Sequence, residues 1–191
     1  MTRTLSTAAL AASLSLILTA CGGKSPATAG ESGPAAKPGS GATLSDTQQQ
    51  LTAKLNAYIE CFNALDSKTH RSIESYTRWI KDVDAGPTGR ETQVYGPSEI
   101  SDYDMKRCDA PVSEAIAAKP ALADLDAAAG RYQQSLKALV PVSKDAHDYY
   151  DRQDYEDDQF AKGKQMHAPL MAAFKAFVVA SEAFNAELER Q

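Results

Sequence analysis

The chain has 191 residues, of which 43% are hydrophobic and 24% charged, with a formal net charge of −5. An acidic balance of this kind argues against a face that attracts nucleic acid or anionic lipid. The count leaves room for one ordinary domain with a real core, even after the atypical ends are set aside.

Residues 1–20 read as an export signal: Arg3, then an uncharged run from Leu5 to Ala20 that is short and rich in small residues for a membrane-spanning helix. The run ends in Leu18-Thr19-Ala20-Cys21, which resembles the lipobox of bacterial lipoproteins. The resemblance implies cleavage before Cys21 and acylation of that cysteine; the alternative is ordinary secretion with a chance cysteine. Several acyl chains would anchor the protein firmly where one would hold only marginally. Gly22 stands where an aspartate would resemble an inner-membrane retention signal, so the expected location is the outer membrane, with the domain in the periplasm. Residues 21–43 are then the acylated Cys21 and a Gly, Pro, Ala and Ser linker, expected to be a disordered tether with a reach of roughly 25 Å.

Removing the leader takes Arg3 with it, so the mature chain would carry a formal charge of −6. If lipid occupies Cys21, Cys61 and Cys108 remain as one pair in an oxidising compartment, and a disulfide is expected. Two buried free thiols are the alternative.

Residues 44–191 show four amphipathic helical patterns and no alternation of strand type. The first begins at Ser45, whose spacing to Gln48 is that of a capping box, and runs to about Asp82 with Leu51, Leu55, Tyr58, Phe62, Leu65, Thr69, Tyr76 and Ile80 on one stripe. A loop of about 15 residues holding Gly86-Pro87-Thr88-Gly89 and Gly96-Pro97 follows. It lacks the length and the lysine of a phosphate-binding loop. The second helix is expected from Ser98 or Ser101 to about Lys119, with a bend at Pro111. The third begins with Pro120 in its first turn. Its stripe runs Leu122, Leu125, Ala129, Tyr132, Leu136, Leu139, Ser143, Ala146 and Tyr150, with a kink at Pro141.

The fourth stripe is Phe160, Gly163, His167, Leu170, Phe174, Phe177, Ser181, Phe184 and Leu188. Neither Gly nor Pro separates it from the third, so the reversal is placed near Asp151–Asp154, with Asp154 as N-cap and Glu156, Asp157 and Asp158 in the positive first turn. A continuous helix through this region is the competing reading. The expected fold is an all-α antiparallel four-helix bundle with long helices, preceded by the tether.

The domain resembles the YiiG-like family of bacterial lipoproteins, grouped under a domain of unknown function. The residues that carry the likeness are Lys54 to Cys61 with Asn63, then Tyr76, Trp79 and Gly86 to Glu91, and Tyr149 through Asp158 to Lys164 with His167. The resemblance implies an envelope lipoprotein and a helical fold. It implies no activity.

The chemistry-bearing residues concentrate between His147 and His167. On an uninterrupted helix His147, Asp151, Asp154 and Asp158 would share a face, and His with Asp at i, i+4 suits a divalent transition metal. The expected turn divides that set, and helix-end acids account for the run equally well. His167, on an apolar stripe two residues before Pro169, reads as a hydrogen-bonded core histidine whose partner is the carbonyl of Gln165 freed by the proline. No Ser or Cys nucleophile can be assigned to it, and no catalytic motif is found, so no enzyme activity and no cofactor are expected.

Trp79, Tyr132, Tyr149, Tyr150 and Tyr155 are the aromatics able to line a groove. The leading expectation is therefore a tethered binding or structural module. Its contact surface would comprise Trp79, Tyr149, Tyr150, Asp154, Tyr155, Asp158 and His167, facing an envelope protein, peptide or glycan. The runner-up is a divalent-metal-binding envelope protein.

Overall fold

The computed structural model describes residues 45–191; the leader, Cys21 and the linker lie outside them. Among the described residues there are six helices and no strand: α1 Asp46–Thr77, α2 Asp102–Lys106, α3 Asp109–Ala117, α4 Ala123–Asp151, α5 Asp154–Asp158 and α6 Ala161–Leu188. The expected antiparallel bundle is found, with α1, the α2–α3 pair, α4 and α6 as its four legs. Side-chain pairings fix the directions. Lys54 meets Asp126 and Tyr76 meets Tyr150, so α1 and α4 run the same way. Tyr58 meets Phe184 and Tyr76 meets Phe174, so α6 opposes α1. No described helix is long and apolar enough to cross a membrane.

The start of α1 is as the sequence predicts: Gln48 N donates to Ser45 Oγ, and Ser45 N donates back to Gln48 Oε1. Its end comes earlier, at Thr77. Leaving the helix at Arg78 lets the neighbours Trp79 and Ile80 both turn inward. Trp79 packs on Tyr76, Tyr150 and Phe160, while Ile80 is buried. The loop is correspondingly longer than expected, spanning residues 78–101.

The second leg is broken rather than bent. A continuous helix would need an N–H at position 111 to bond the carbonyl of Arg107, which proline cannot supply, and its ring would collide with that carbonyl. The chain therefore stops α2 at Arg107 and restarts at Cys108, placing Pro111 in the first turn of α3, where the N–H has no intrahelical partner anyway. This break sets Cys108 against Cys61, with the two Cα atoms 4.5 Å apart in a fully buried disulfide that joins α1 to α3.

Pro120 lies outside α4, in a cis peptide bond with Lys119, and the helix starts at Ala123. The chain continues as helix through Pro141 and through Pro169 of α6. The stripes of both helices are buried largely as read: Leu125, Ala129, Tyr132, Leu136, Leu139, Ser143, Ala146 and Tyr150 on α4, and Gly163, His167, Leu170, Phe174, Phe177, Ser181 and Phe184 on α6.

The reversal between them departs most from expectation. Helix α4 ends at Asp151 as placed, but Asp154 caps nothing and instead opens the single turn α5. The chain turns with three non-glycine residues in the left-handed region: Gln153 (φ 59°), Gln159 (φ 53°) and Phe160 (φ 63°). Each such residue costs on the order of 1 kcal/mol, so packing must hold them there. At Gln159 and Phe160 two contacts do so: the buried ring of Phe160 lies 4.9 Å from that of Tyr155, and Asp158 Oδ2 accepts from Lys162 N at 2.9 Å. Asp158, rather than Asp154, satisfies the start of α6.

Candidate functional site

The residues singled out in the sequence do meet at one end of the bundle, where α1, α4, α5, α6 and the 78–101 loop converge. They do not form the expected open surface. Tyr149, Tyr150 and His167 are buried, as is Tyr132 further along the core, and Trp79 and Tyr155 are half-buried against them. Tyr150 is the centre of this layer, with ring centroids 5.7 Å from Tyr76, 5.8 Å from Trp79, 4.9 Å from Tyr149 and 6.1 Å from Tyr155. These rings are core, so they present no groove. Gly163 explains how the layer closes, since a Cβ at that position would lie 2.9 Å from the Tyr150 hydroxyl.

His167 is a core histidine, as read, but with different partners. Its Nε2 lies 2.7 Å from the Val83 carbonyl and its Nδ1 lies 2.9 Å from the Tyr76 hydroxyl. A carbonyl can only accept, so Nε2 carries the proton, and in the neutral ring Nδ1 accepts from Tyr76. The Gln165 carbonyl plays no part. A loop more than eighty positions away in sequence supplies the partner, because Gly86, at φ +85°, lets the turn approach the imidazole face.

The acids have separate duties. Asp154 pairs with Arg152 Nη2 at 3.0 Å. Asp158 accepts from the Tyr149 hydroxyl at 2.7 Å as well as from Lys162 N. Desolvation pushes the Asp158 carboxyl up, but these hydrogen bonds outweigh it and hold the pKa below the usual aspartate value. The Tyr149 hydroxyl is pushed well up by burial and by its bond to Asp158. His147 Nδ1 lies 3.0 Å from the Pro97 carbonyl. The set His147, Asp151, Asp154 and Asp158 is thus not assembled, and among the described residues no three His, Cys, Asp or Glu side chains are grouped to hold a metal.

Side chains also pin the loop to the helices through its backbone. Ser72 and Ser75 hydroxyls donate to the carbonyls of Ser98 and Gly96, Trp79 Nε1 donates to Tyr95 O at 2.7 Å, and both His147 and His167 hold loop carbonyls. Where the pinned loop meets the end of α4 it leaves an open polar cavity of about 360 Å³, whose lining includes Ser75, Tyr95, Ser98, His147, Asp151 and Gln153.

Three features escaped the sequence reading. At the opposite end Lys54 is buried, donating to Asp126 Oδ2 at 2.9 Å and to the carbonyls of Ala118 and Pro120, while Tyr58 donates to Asp126 Oδ1. The available signal was a lysine four positions before Tyr58 on the apolar stripe. Beside it α1 and α3 leave an apolar groove of about 500 Å³ bordered by Ala53, Ala57, Pro111, Ala115 and Ala118. Midway, Ser181 Oγ donates to Asp66 Oδ1 at 2.5 Å, with His70 Nε2 3.5 Å from Oγ and 3.8 Å from Asp66 Oδ2. The serine proton is directed to the carboxylate and not to the imidazole, and the carboxylate sits on the same ring nitrogen as the serine. That differs from a nucleophilic triad, in which the acid holds the far nitrogen.

A family model described as "Protein of unknown function (DUF3829)" matches residues 49–191. The chain belongs to this family. A curated relative, "Uncharacterized protein YiiG" of Escherichia coli (strain K12), is 35% identical over 144 residues, which is 75% of this chain and 41% of the relative. The match thus spans less than half the length of that relative. The YiiG-like resemblance stands, and it brings no activity with it. No solved structure matches.

Proposed function

We propose that this protein is a lipid-anchored component of the bacterial outer membrane whose periplasmic domain is a binding module rather than an enzyme. The anchor rests on Leu18-Thr19-Ala20-Cys21 behind an apolar leader. A buried disulfide, which persists in an oxidising compartment, supports the periplasmic placement. The observation that carries the binding reading is the pinned loop. Five side chains of α1, α4, α6 and the loop itself fix its carbonyls, so the polar cavity beside it is shaped before any partner arrives. Preorganisation of this kind lowers the entropic cost of association. The contact surface therefore moves from the aromatic rings to the loop and the exposed edge of α4, facing an envelope protein, peptide or glycan.

Photo-cross-linking in living cells tests this reading. A benzophenone amino acid at Tyr95, 41% exposed and on the cavity wall, should give a discrete adduct. The same probe at Tyr103, 73% exposed and away from the cavity, should not. Adducts at neither position, or equally at both, would remove the cavity as the contact site. Fatty-acid labelling of the wild type and of Cys21→Ser tests the anchor, which fails if both incorporate label.

A further inference from the structure

We infer that His147 and Asp151, on the wall of the polar cavity, form a two-donor site for a single divalent transition-metal ion. The inference rests on the reading of this cavity as a binding site. It replaces the four-residue set by the two members the fold leaves available.

The argument begins with the tautomer. The Pro97 carbonyl can only accept, so the proton of neutral His147 sits on Nδ1, and the lone pair is on Nε2, for which no protein partner is found among the described residues. A histidine whose one nitrogen donates to a backbone carbonyl has its other nitrogen fixed in orientation, the usual arrangement of a metal-ligating imidazole. Asp151 lies one helical turn further along α4, on the same side, and lines the same cavity. Its carboxylate has no hydrogen bond or ion pair among the described residues; its charge is felt by Arg152, whose guanidinium is itself held by Asp154. Asp151 is exposed, so its side chain is free to bring oxygen to the imidazole edge.

The other two histidines, and the other acids of the four-residue set, are less available. Asp154 and Asp158 have the partners described above, and both nitrogens of His167 are bonded in the core. His70 and Asp66 form a similar i, i+4 pair, but there the imidazole Nε2 and the carboxylate already face each other and Ser181. One imidazole nitrogen and one carboxylate oxygen suit zinc, nickel or copper, and water would complete the shell in an open cavity of this size.

The test uses the purified full-length protein in detergent, stripped with chelator and titrated calorimetrically with zinc or nickel chloride alone. The wild type should bind one ion per chain. Asp151→Asn and His147→Gln should each weaken binding at least tenfold, whereas His70→Gln should leave it unchanged. Copper(II) added at one equivalent should show coupling to one imidazole nitrogen in its electron paramagnetic resonance spectrum, lost in His147→Gln. Asp151 is exposed and unpaired, so Asp151→Asn keeps the test valid even if His147→Gln disturbs the loop. Absence of binding by the wild type, or full affinity in Asp151→Asn, overturns the site. Loss in His70→Gln alone would relocate it to α1 and equally overturn the assignment. Metal binding without a Tyr95 adduct would leave this site standing and the partner reading fallen; an adduct without metal binding would do the reverse.

Discussion

Lys54 Nζ lies 2.9 Å from the Asp126 carboxylate, and the lysine side chain is sealed between α1 and α4. The carbonyls of Ala118 and Pro120, each 3.1 Å away, take its remaining protons, so all three donors of the ammonium are satisfied. This one residue ties the first helix to the segment linking α3 and α4 and to the start of α4 itself.

Removing one partner strands the other. Asp126→Ala leaves a buried ammonium without its counter-charge and is expected to lower stability by about 3–5 kcal/mol. The paired replacement Lys54→Met with Asp126→Leu should recover only part of that loss: neither charge then needs compensation, but the Tyr58 hydroxyl and the carbonyls of Ala118 and Pro120 lose their partners. Urea denaturation of the three proteins checks this, and an Asp126→Ala loss below about 1 kcal/mol would mean water reaches the lysine.

The disulfide closes a loop between positions 47 apart in sequence. Replacing both Cys61 and Cys108 by Ala should reduce stability by about 4 kcal/mol in the chain-entropy model. Reductant should shift the melting temperature of the wild type only after the bond opens, and should not move that of the double variant. A Cys21→Ser protein that reacts with a thiol reagent when unfolded without reductant would show that the bond does not form.

Gly86 and His167 are coupled. A Cβ at position 86 would lie 2.7 Å from His167 Cδ2, and the backbone there has φ +85°. Gly86→Ala therefore carries both a collision and left-handed strain, about 1–3 kcal/mol together. In the His167→Ala background the collision is gone and only the strain remains, so the two losses should sum to more than the double variant shows. Full additivity in a double-mutant cycle would separate the loop from the ring.

Part of the acid sensitivity should be traceable to Glu91, alongside Asp104 and Asp158, whose carboxyls are also held low. Desolvation pushes the Glu91 carboxyl up, but bonds from Thr88 N and Oγ and from Gly89 N prevail and hold it at about 2. A carboxyl whose folded pKa lies below its unfolded value stabilises fully above the unfolded value, about 4.5, and loses that contribution as pH falls towards 2. Glu91→Gln should flatten stability against pH across this window and leave the region above pH 5 parallel to wild type. An unchanged slope between pH 4.5 and 2 would place the acid-sensitive group elsewhere.

Much of the fold was legible in the sequence because its signals are local. The spacing of Leu125, Ala129, Tyr132 and Leu136, and of Leu170, Phe174 and Phe177, is a helical stripe whatever it packs on. Ser45 with Gln48 marked a helix start through two bonds made within one turn. Asp154 misled for the complementary reason: its type suits a cap, but the cap position depends on where Gln153, Gln159 and Phe160 turn left-handed. Energies of about 1 kcal/mol per residue are easily overruled by packing, and no periodicity announces it.

By itself the sequence determined the four helical legs of the bundle, one pair of cysteines able to join two of them, and the place in the chain where His, Asp and Tyr gather. Only the tertiary structure decided which of those residues meet solvent. The 78–101 loop carries no periodic pattern, yet its carbonyls complete His147 and His167, and its path turns an apparent aromatic surface into core. Periodicity reports which residues share one face of a helix. Exposure depends on what lies across from that face, and here the covering segment comes from a distant, irregular part of the chain.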